Sequence, residues 1–395
     1  MLNQPLANIK KLISLLFIPI NNKVMDINYT NTENDTTYDK YYETLSDQIS
    51  DIPILGVSRF NNINGITCYI NSILHILQQI PNFVKYIYEC KFKKNLKEPQ
   101  LNSFVIYELY NLFKTSIDNE NSIITPTNFK NIIGQKNDMW DEMNQQDSQE
   151  FFSFLISQLK EEVGQKVNFI PGSSINEFRS VSNSIDNIIA TNSLSSYQSF
   201  EYSELTEMFD GLFENICSCS CCKSTNLKFE PFLTLAVDIH DNLYECLDNL
   251  CNDQQLDIDN KLTCGFCGIS NRAFKKTLLW KTPKILVIHI KRFGFGEQKI
   301  TTNVDYPIKN LDLTKYIDPK SPFRNKCKYD LIGVNLHLSL GESENINAGH
   351  YISLIKNKNN HKWYVYNDSD EPEIITEADE IQTNDAYLLF YYRHN

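Results

Sequence analysis

NGITCYINS, at residues 64–72, joins a predicted turn to a predicted helix. Gly65 permits a tight turn, and apolar residues recur with helical spacing over 69–80, just before Pro81. Cys68 therefore lies at the start of a buried helix, where free backbone N–H groups and the helix dipole stabilise a thiolate. The same N–H groups could bind an oxyanion. We predict a candidate nucleophile at Cys68; the alternative is a thiol that only packs in the core.

A hairpin is predicted near the end of the chain. AGHYISLIK (348–356) and KWYVYND (362–368) are apolar segments rich in aromatic and β-branched residues, and they flank the polar loop NKNNH. Segments of this kind on either side of a short polar loop favour two antiparallel strands. We expect Lys356 to pair with Lys362 across this hairpin.

His350 is the candidate general base in this hairpin. In the expected register it faces Asp368, and a slip of one residue places it opposite Asn367 instead. Directly opposed Cβ atoms lie about 4.5–5.5 Å apart. Either side chain could therefore accept a hydrogen bond from the imidazole and fix its tautomer, as a general base for a thiol requires. The alternative is a surface histidine at a polar strand end.

Cys, then His, then Asn or Asp is the chain order of papain-like cysteine proteases. Here 282 residues separate Cys68 from His350, which is about twice the separation in a simple papain domain. We therefore predict a large insertion between the two halves of the site.

Two CxxC pairs lie within this insertion, CSCC at 219–222 and CGFC at 264–267. Each pair can form one zinc knuckle, and two knuckles make a closed tetrahedral site. We predict one structural zinc ion bound by Cys219, Cys222, Cys264 and Cys267. Cys217 and Cys221 also lie at the first knuckle, but they lack the CxxC spacing. The 41 residues between the pairs, 223–263, predict a small β-subdomain.

NQQDSQEFF, at residues 144–152, precedes an apolar helical pattern. Asp147 and Glu150 are three residues apart at its start, as in a helix capping box. If this segment lines a cleft, the two carboxylates could instead bind a basic substrate tail.

The composition limits the class of function. The 395 residues include 37 Lys and Arg against 49 Asp and Glu, so the net charge is −12. This charge disfavours non-specific nucleic-acid binding, because a protein that binds phosphates needs surplus cations.

The cysteines and the apolar runs bear on the compartment. The chain has 11 cysteines and no convincing export signal, which favours a reducing compartment. The longest apolar run, LISLLFIPI (12–20), is too short to span a bilayer, and we predict a short anchor or docking strip there.

The first half of the chain is predicted to be mainly helical and the second half rich in β-strands. Helical spacing marks 101–113 and 150–163. Strand patterns mark 285–290, 334–340, 350–356, 362–368 and 386–392. Residues 1–50 are predicted to be a largely disordered extension, and 171–199 a Ser/Asn-rich surface insertion.

Together these segments resemble the ubiquitin-specific proteases, which are papain-like deubiquitinating cysteine proteases. NGITCYINS resembles the family's Cys box, NQQDSQEFF its QQD box, and AGHYISLI with KWYVYNDS its His box. CSCC…FEPFLTL…CGFC resembles its zinc-bearing fingers, and TPKILVIHIKRF (282–293) and AYLLFYYR also match. The resemblance covers roughly residues 52–393, and the motifs occur in the same order as in the family.

The resemblance implies an α+β fold, that of a papain-like cysteine protease with a helical thumb, a β palm and zinc-ribbon β fingers. After the N-terminal extension (1–50), a catalytic domain spans 51–395, with the thumb, fingers and palm at about 51–205, 206–280 and 281–395. The fingers would grip ubiquitin, and its C-terminus would lie between thumb and palm. Asp147 and Glu150 resemble the acids that contact the basic ubiquitin tail.

By matching motif, the resemblance implies that Cys68 is the nucleophile and His350 the general base. Asn367 would orient the imidazole, with Asp368 adjacent and able to share that role. The predicted zinc ion is structural, and no cofactor is expected for catalysis.

One position departs from the family pattern. The family has an Asn five residues before the nucleophile that donates to the oxyanion, whereas this chain has Ile63 there, between Asn62 and Asn64. Either Asn64 or Asn62 serves instead, or the side-chain donor is lost, which costs about 10²–10³-fold in rate. The backbone N–H of Cys68 would remain.

The sequence therefore predicts a thiol-dependent deubiquitinase that hydrolyses isopeptide or peptide bonds at the C-terminal glycine of ubiquitin. Its partners would be ubiquitin and ubiquitinated proteins. We expect a monomer in the cytoplasm or nucleus, with no transmembrane segment and no nucleic-acid partner. The alternatives are a catalytically weak ubiquitin-binding pseudoenzyme and a protease for a ubiquitin-like modifier; the acidic charge disfavours a zinc-ribbon nucleic-acid protein.

Overall fold

A computed structural model describes most of the chain from residue 58 onward. The described residues are 58–96, 104–119, 122–165, 186, 189, 190, 193, 202–255, 262–271, 273–294, 299–339 and 349–394. The predicted extension (1–50), its apolar strip (12–20) and most of the predicted insertion (171–199) lie outside them. Among the helices of the described ranges, none combines the length and apolar character needed to cross a membrane.

The helices of the described ranges cluster in the first half of the chain. In chain order they are α1 (Cys68–Leu77), α2 (Pro81–Tyr88), α3 (Val105–Asp118), α4 (Thr127–Lys136), α5 (Ser148–Val163), α6 (Glu204–Phe209) and α7 (Leu243–Cys251). Every residue of α1 is buried. The predicted helix over 69–80 ends earlier than expected, at Leu77. Pro81 does not terminate it but begins α2, because a first-turn N–H has no helical partner to lose.

The start of α3 is fixed by Glu162 of α5. The helix was predicted over 101–113, but Phe104 is extended and the helix begins at Val105. The buried Glu162 carboxylate accepts hydrogen bonds from the backbone N–H groups of Val105 and Ile106, both at 2.9 Å. A side chain from another helix thus satisfies two first-turn donors that α3 cannot satisfy itself.

The strands dominate the second half of the chain. In chain order they are β1 (Arg59–Phe60), β2 (Ile123–Ile124), β3 (Gly211–Cys219), β4 (Thr225–Phe232), β5 (Thr234–Val237), β6 (Gln254–Gln255), β7 (Leu262–Thr263), β8 (Ser270–Asn271), β9 (Ala273–Lys281), β10 (Ile285–Ile290), β11 (Leu311–Asp312), β12 (Lys328–Ser339), β13 (Gly349–Lys356), β14 (Trp363–Tyr366), β15 (Glu373–Ile375) and β16 (Ala386–Arg393).

The largest sheet is covered on both faces. Its strand order is β15-β14-β13-β12-β16-β10-β5, with β11 paired to β12. One face packs on the helical layer, where α1 contacts β12 and β13. The other face packs on α7 and the chain that surrounds β11. This arrangement of helices on an antiparallel-rich sheet confirms the predicted α+β fold.

A second sheet has the strand order β4-β3-β9-β6. It carries the two CxxC pairs near one end, where β3 finishes at Cys219 and the short β7–β8 ladder flanks the second pair. Strand β5 and helix α7 fall inside the range predicted for the fingers, 206–280. However, β5 pairs with β10 of the largest sheet and is not part of the second one.

The predicted register of the β13–β14 hairpin is wrong by one residue. Lys356 pairs with Trp363, not with Lys362. The Asn357 N–H donates to the Lys362 carbonyl at 2.8 Å, and His361 takes a left-handed φ of 57°. Lys362 therefore closes the loop instead of opening the second strand.

We predict that Glu162→Ala lowers the free energy of unfolding by about 2–4 kcal/mol, because two buried N–H groups lose a charged acceptor. Urea denaturation measures the loss. Glu161→Ala is the matched control, since Glu161 is its exposed neighbour on α5, and it should change stability by less than about 0.5 kcal/mol. Equal losses in the two variants would contradict the role of Glu162 in starting α3.

Candidate functional site

Cys68 is the first residue of α1 and only 1% of its surface is exposed. A 3₁₀ turn over Ile63–Gly65 precedes the helix. Asn64 and Gly65 take left-handed φ values of 52° and 74° there, a conformation that Asn and Gly tolerate best. The predicted turn is thus present, and it reverses the chain so that the thiol lies at a helix N-terminus.

The surroundings of the Cys68 thiol favour its protonated form. Its pKa is raised to about 11: burial raises the pKa most, a hydrogen bond from the backbone of Tyr351 lowers it, and the nearby negative charge of Asp368 raises it. Because Tyr351 follows His350 on β13, this hydrogen bond places the sulfur beside the strand that carries the imidazole. A base must remove the proton before the sulfur can act as a nucleophile.

The His350 imidazole contacts the Asn367 side chain. Its Nε2 lies 2.6 Å from Asn367 Oδ1 and 3.8 Å from Asp368 Oδ2. An amide oxygen can only accept, so Nε2 carries the proton and Nδ1 is left as the basic nitrogen. The sequence had left both acceptors open; in the structure the direct contact is with Asn367.

A turn after β14, not strand pairing, positions these acceptors. The β13–β14 ladder ends before it reaches His350. The Asp370 N–H donates to the Asn367 carbonyl at 2.9 Å, and Asn367 Nδ2 donates to the Asp370 carboxylate at 2.7 Å. Asp368 takes a left-handed φ of 47°. The chain therefore curls back toward His350, and neither Asn367 nor Asp368 is its ladder partner.

The Asp368 carboxylate connects this turn to the segment around Cys68. Asn62 Nδ2 donates to Oδ2 and Asn71 Nδ2 donates to Oδ1, both at 2.8 Å. The Phe60 N–H donates to the Asp368 carbonyl at 3.1 Å. Burial raises the pKa of Asp368, and the two amides oppose that shift. Sequence reasoning missed Asn71; the signal available was a lone amide among apolar residues on a buried helix.

Asn62 and Asn64 occupy different environments. Asn62 Oδ1 accepts the Thr67 N–H at 2.7 Å, while its Nδ2 is committed to Asp368. The Asn62 amide is thus fixed at both ends, immediately before the helix that begins with Cys68. Asn64 is exposed.

The Asp147 side chain caps helix α5. Its Oδ1 accepts the N–H groups of Gln149 and Glu150 at 2.6 and 3.0 Å, and its Oδ2 accepts the Tyr387 hydroxyl at 2.5 Å. Burial raises its pKa. Glu150 is exposed, and partial burial together with the charge of Asp147 raises its pKa. Both oxygens of Asp147 are therefore occupied, whereas the Glu150 carboxylate faces solvent.

The four cysteines of the two CxxC pairs form a group that could hold a metal ion. All four sulfurs lie within 4.8 Å of one another. The pairs 219/267 and 222/264 are 3.9 and 3.7 Å apart. Tetrahedral zinc, with Zn–S bonds of about 2.3 Å, requires sulfurs about 3.8 Å apart, so the donor set fits zinc. Cys217 and Cys221 are not in the group.

Each CxxC pair closes a local turn. The Lys223 N–H donates to the Cys219 carbonyl at 3.0 Å, and the Gly268 N–H donates to the Cys264 carbonyl at 2.8 Å. Lys223 and Gly268 both take left-handed φ values, 60° and 72°. These turns direct both thiols of each pair toward the other pair, which is the geometry of a zinc knuckle.

The chain matches the family model described as Ubiquitin carboxyl-terminal hydrolase over residues 59–391. It is 28% identical over 347 residues to Ubiquitin carboxyl-terminal hydrolase 2 of Homo sapiens, covering 85% of this chain and 55% of that protein. It is 30% identical over 353 residues to Ubiquitin carboxyl-terminal hydrolase 2 of Gallus gallus, covering 86% and 94%. The chain thus spans about half the length of the mammalian relatives that it matches.

A similar fold occurs in a solved structure of the SAGA DUB module bound to monoubiquitin. The TM-score is 0.67, the identity is 24%, and the match covers 93% of this chain and 77% of the other. At this identity the likeness concerns the fold alone.

Proposed function

This chain belongs to the ubiquitin carboxyl-terminal hydrolase family, and from that premise we propose that it is a thiol-dependent deubiquitinase. It hydrolyses the isopeptide or peptide bond after the C-terminal glycine of ubiquitin. The observation that supports this most directly is the contact between the His350 imidazole and Asn367 Oδ1, at 2.6 Å. The next residue on the same strand, Tyr351, has its backbone beside the Cys68 thiol.

In this mechanism His350 acts first as a base and then as an acid. Nε2–H donates to Asn367, and Nδ1 takes the Cys68 proton. The thiolate attacks the carbonyl carbon of the terminal glycine. Protonated His350 then gives its proton to the departing lysine amine, and the thioester remains on sulfur. Water, deprotonated by His350, attacks the thioester and restores the thiol.

Asn367 and Asp368 have separate roles in this proposal. Asn367 orients the imidazole through the direct contact with Nε2. Asp368, 3.8 Å from the same nitrogen, stabilises the imidazolium that forms when the thiol is deprotonated. It also holds the Cys68 segment in place through its two asparagine donors.

Ubiquitin is the proposed partner. The second sheet, β4-β3-β9-β6, would form the fingers that grip the body of ubiquitin. The basic C-terminal tail of ubiquitin would approach between thumb and palm. Glu150 supports this assignment because its carboxylate is exposed at the start of α5. Asp147 is better assigned as the helix cap, since both of its oxygens already accept hydrogen bonds. The predicted monomeric state and reducing compartment remain predictions.

Cys68→Ala should abolish cleavage of a fluorogenic ubiquitin C-terminal amide, because no other group replaces the nucleophile. An electrophilic ubiquitin probe should label the wild type and not this variant. Cys90→Ser, at a half-buried thiol outside the site, is the control and should retain both activities. Full cleavage by Cys68→Ala would refute the assigned nucleophile. Measurable ubiquitin affinity without wild-type cleavage or labelling would favour the pseudoenzyme.

We also propose that Asn62, together with the Cys68 backbone N–H, stabilises the oxyanion in place of the Asn that Ile63 replaces. The support is its position: the Asn62 amide is held by Thr67 and Asp368 just before α1, whereas Asn64 is exposed.

Asn62→Ala should lower kcat by at least about 10²–10³-fold, because the oxyanion loses one donor and Asp368 loses one of its two asparagine donors. Asn64→Gly is the matched control, because glycine accepts the left-handed φ at that position, and it should leave kcat unchanged. Steady-state kinetics on the ubiquitin amide substrate distinguish them. A large loss in Asn64→Gly, with none in Asn62→Ala, would reverse the assignment.

The CxxC group is proposed to bind one structural zinc ion through Cys219, Cys222, Cys264 and Cys267. When bound, the ion would crosslink the turn between β3 and β4 to the loop between β7 and β8. The support is the fit of the sulfur separations to a tetrahedral site and the presence of both knuckle turns.

Metal analysis of the purified protein should find one zinc per chain. Cys267→Ser should lose it, because three thiolates bind zinc far less tightly than four. Cys221→Ser, at an exposed thiol of the first knuckle that is outside the group, should retain it. Chelation should lower the melting temperature of the wild type. Retention of zinc by Cys267→Ser would contradict the ligand assignment.

A further inference from the structure

A buried chain of hydrogen bonds joins the helical layer to the largest sheet. Ser148 Oγ donates to Asn335 Oδ1 at 2.7 Å, and Asn335 Nδ2 donates to Ser72 Oγ at 2.9 Å. Ser72 Oγ–H in turn donates to the Tyr69 carbonyl at 3.3 Å. Asn335 and Ser148 are 0% exposed and Ser72 is 2% exposed. The three side chains come from β12, α5 and α1, and we call them the Asn335 relay.

The burial of Asn335 is unusual for its place in the strand. Alternation along β12 sends Val334 and Leu336 into the core behind the sheet, and it sends Asn335 to the opposite face. A polar residue on alternate strand positions ordinarily faces water. Here α1 covers that face so closely that a Cβ on Gly333 would lie 3.0 Å from Ile76 of α1.

A buried amide costs free energy unless both of its ends are hydrogen-bonded. A leucine, which has the same branched shape, would avoid that cost. The amide has one donating and one accepting end, and only one placement of α1 and α5 against β12 satisfies both. A polar group of this kind can select one arrangement of packed elements over others.

The Asn335 relay lies beside both halves of the proposed site. Ser72 is one helical turn after Cys68 on α1. Asn335 pairs across the ladder with Ser353 of β13, the strand that begins beside His350. The register of β12 against β16 also shifts directly after Asn335, and such bulges redirect side chains. One amide thus touches the helix that bears the thiol and lies on the strand next to the imidazole.

We propose that Asn335 is a positioning residue that keeps the Cys68 helix in register with the His350 strand. This inference rests on the proposed function, because it assigns Asn335 to the alignment of that thiol and imidazole. Loss of the relay lets α1 shift against the sheet, and displacement of reacting groups by about 1 Å can cost about 10²-fold in rate.

Asn335→Leu is the test variant, because it keeps the branched shape and the number of heavy atoms of the side chain and removes both hydrogen bonds. It should lower kcat for the ubiquitin amide substrate by about 10–100-fold, with KM changed less than about twofold. Its melting temperature should also fall, because the buried Ser148 hydroxyl loses its acceptor and the Ser72 oxygen loses a donor. A KM effect alone, or an unchanged kcat per folded molecule, would overturn the proposal.

The triple variant Asn335→Leu, Ser72→Ala, Ser148→Ala separates positioning from stability. It leaves no unpaired polar group in the relay, so the melting temperature should recover toward that of the wild type. The value of kcat should stay low, because the directional link is still absent. Recovery of both quantities would mean that the relay only stabilises the fold, and the proposal would fail.

A second readout needs no ubiquitin. The rate at which iodoacetamide alkylates Cys68, located by mass spectrometry, depends on pH through the paired imidazole. The profile of Asn335→Leu should move toward that of His350→Ala. A profile identical to the wild type would overturn the positioning role. If the wild type fails to cleave the ubiquitin substrate yet this profile shifts, the proposed function fails while the positioning role stands.

Discussion

The hydrogen bonds from Asn62 and Asn71 to the Asp368 carboxylate are the interaction on which the geometry of the site depends. Asn62 lies in the turn before Cys68, and Asn71 lies on the helix that Cys68 begins. Asp368 follows Asn367 directly in the chain. The acceptor of the imidazole is therefore fixed relative to the thiol through two short hydrogen bonds of 2.8 Å, although about 300 residues separate these segments in the sequence.

Local patterns predicted the parts of this site but not their exact pairing. The helix start at Cys68 and the strand beginning near His350 follow from apolar periodicity, which depends on near neighbours. The hairpin register did not follow, because it depends on how many residues the loop uses, and Lys362 closes the loop instead of pairing with Lys356. The contact between His350 and Asn367 nevertheless forms, since a turn after the ladder brings it about.

The cysteine group could be predicted from local sequence, whereas the burial of Asn335 could not. A CxxC knuckle is closed by backbone hydrogen bonds within a few residues. The spacing of the two cysteines therefore predicts most of the geometry of the knuckle. The alternation around Asn335 predicted a strand, yet it could not tell whether water or α1 would cover the polar face. That face is buried by Ser72 and Ser148, whose helices come from a distant part of the chain, and only the assembled fold decides it.

The charge of Asp368 acts on the two halves of the proposed site in opposite directions. It disfavours the thiolate, since it adds to the burial that raises the pKa of Cys68. It would attract the positive charge that the proposed mechanism forms on His350, whose Nε2 lies 3.8 Å away. A neutral amide in direct contact with His350 therefore has an advantage. In the proposed mechanism, Asn367 would orient the ring without a second negative charge that would hold the proton on sulfur more firmly.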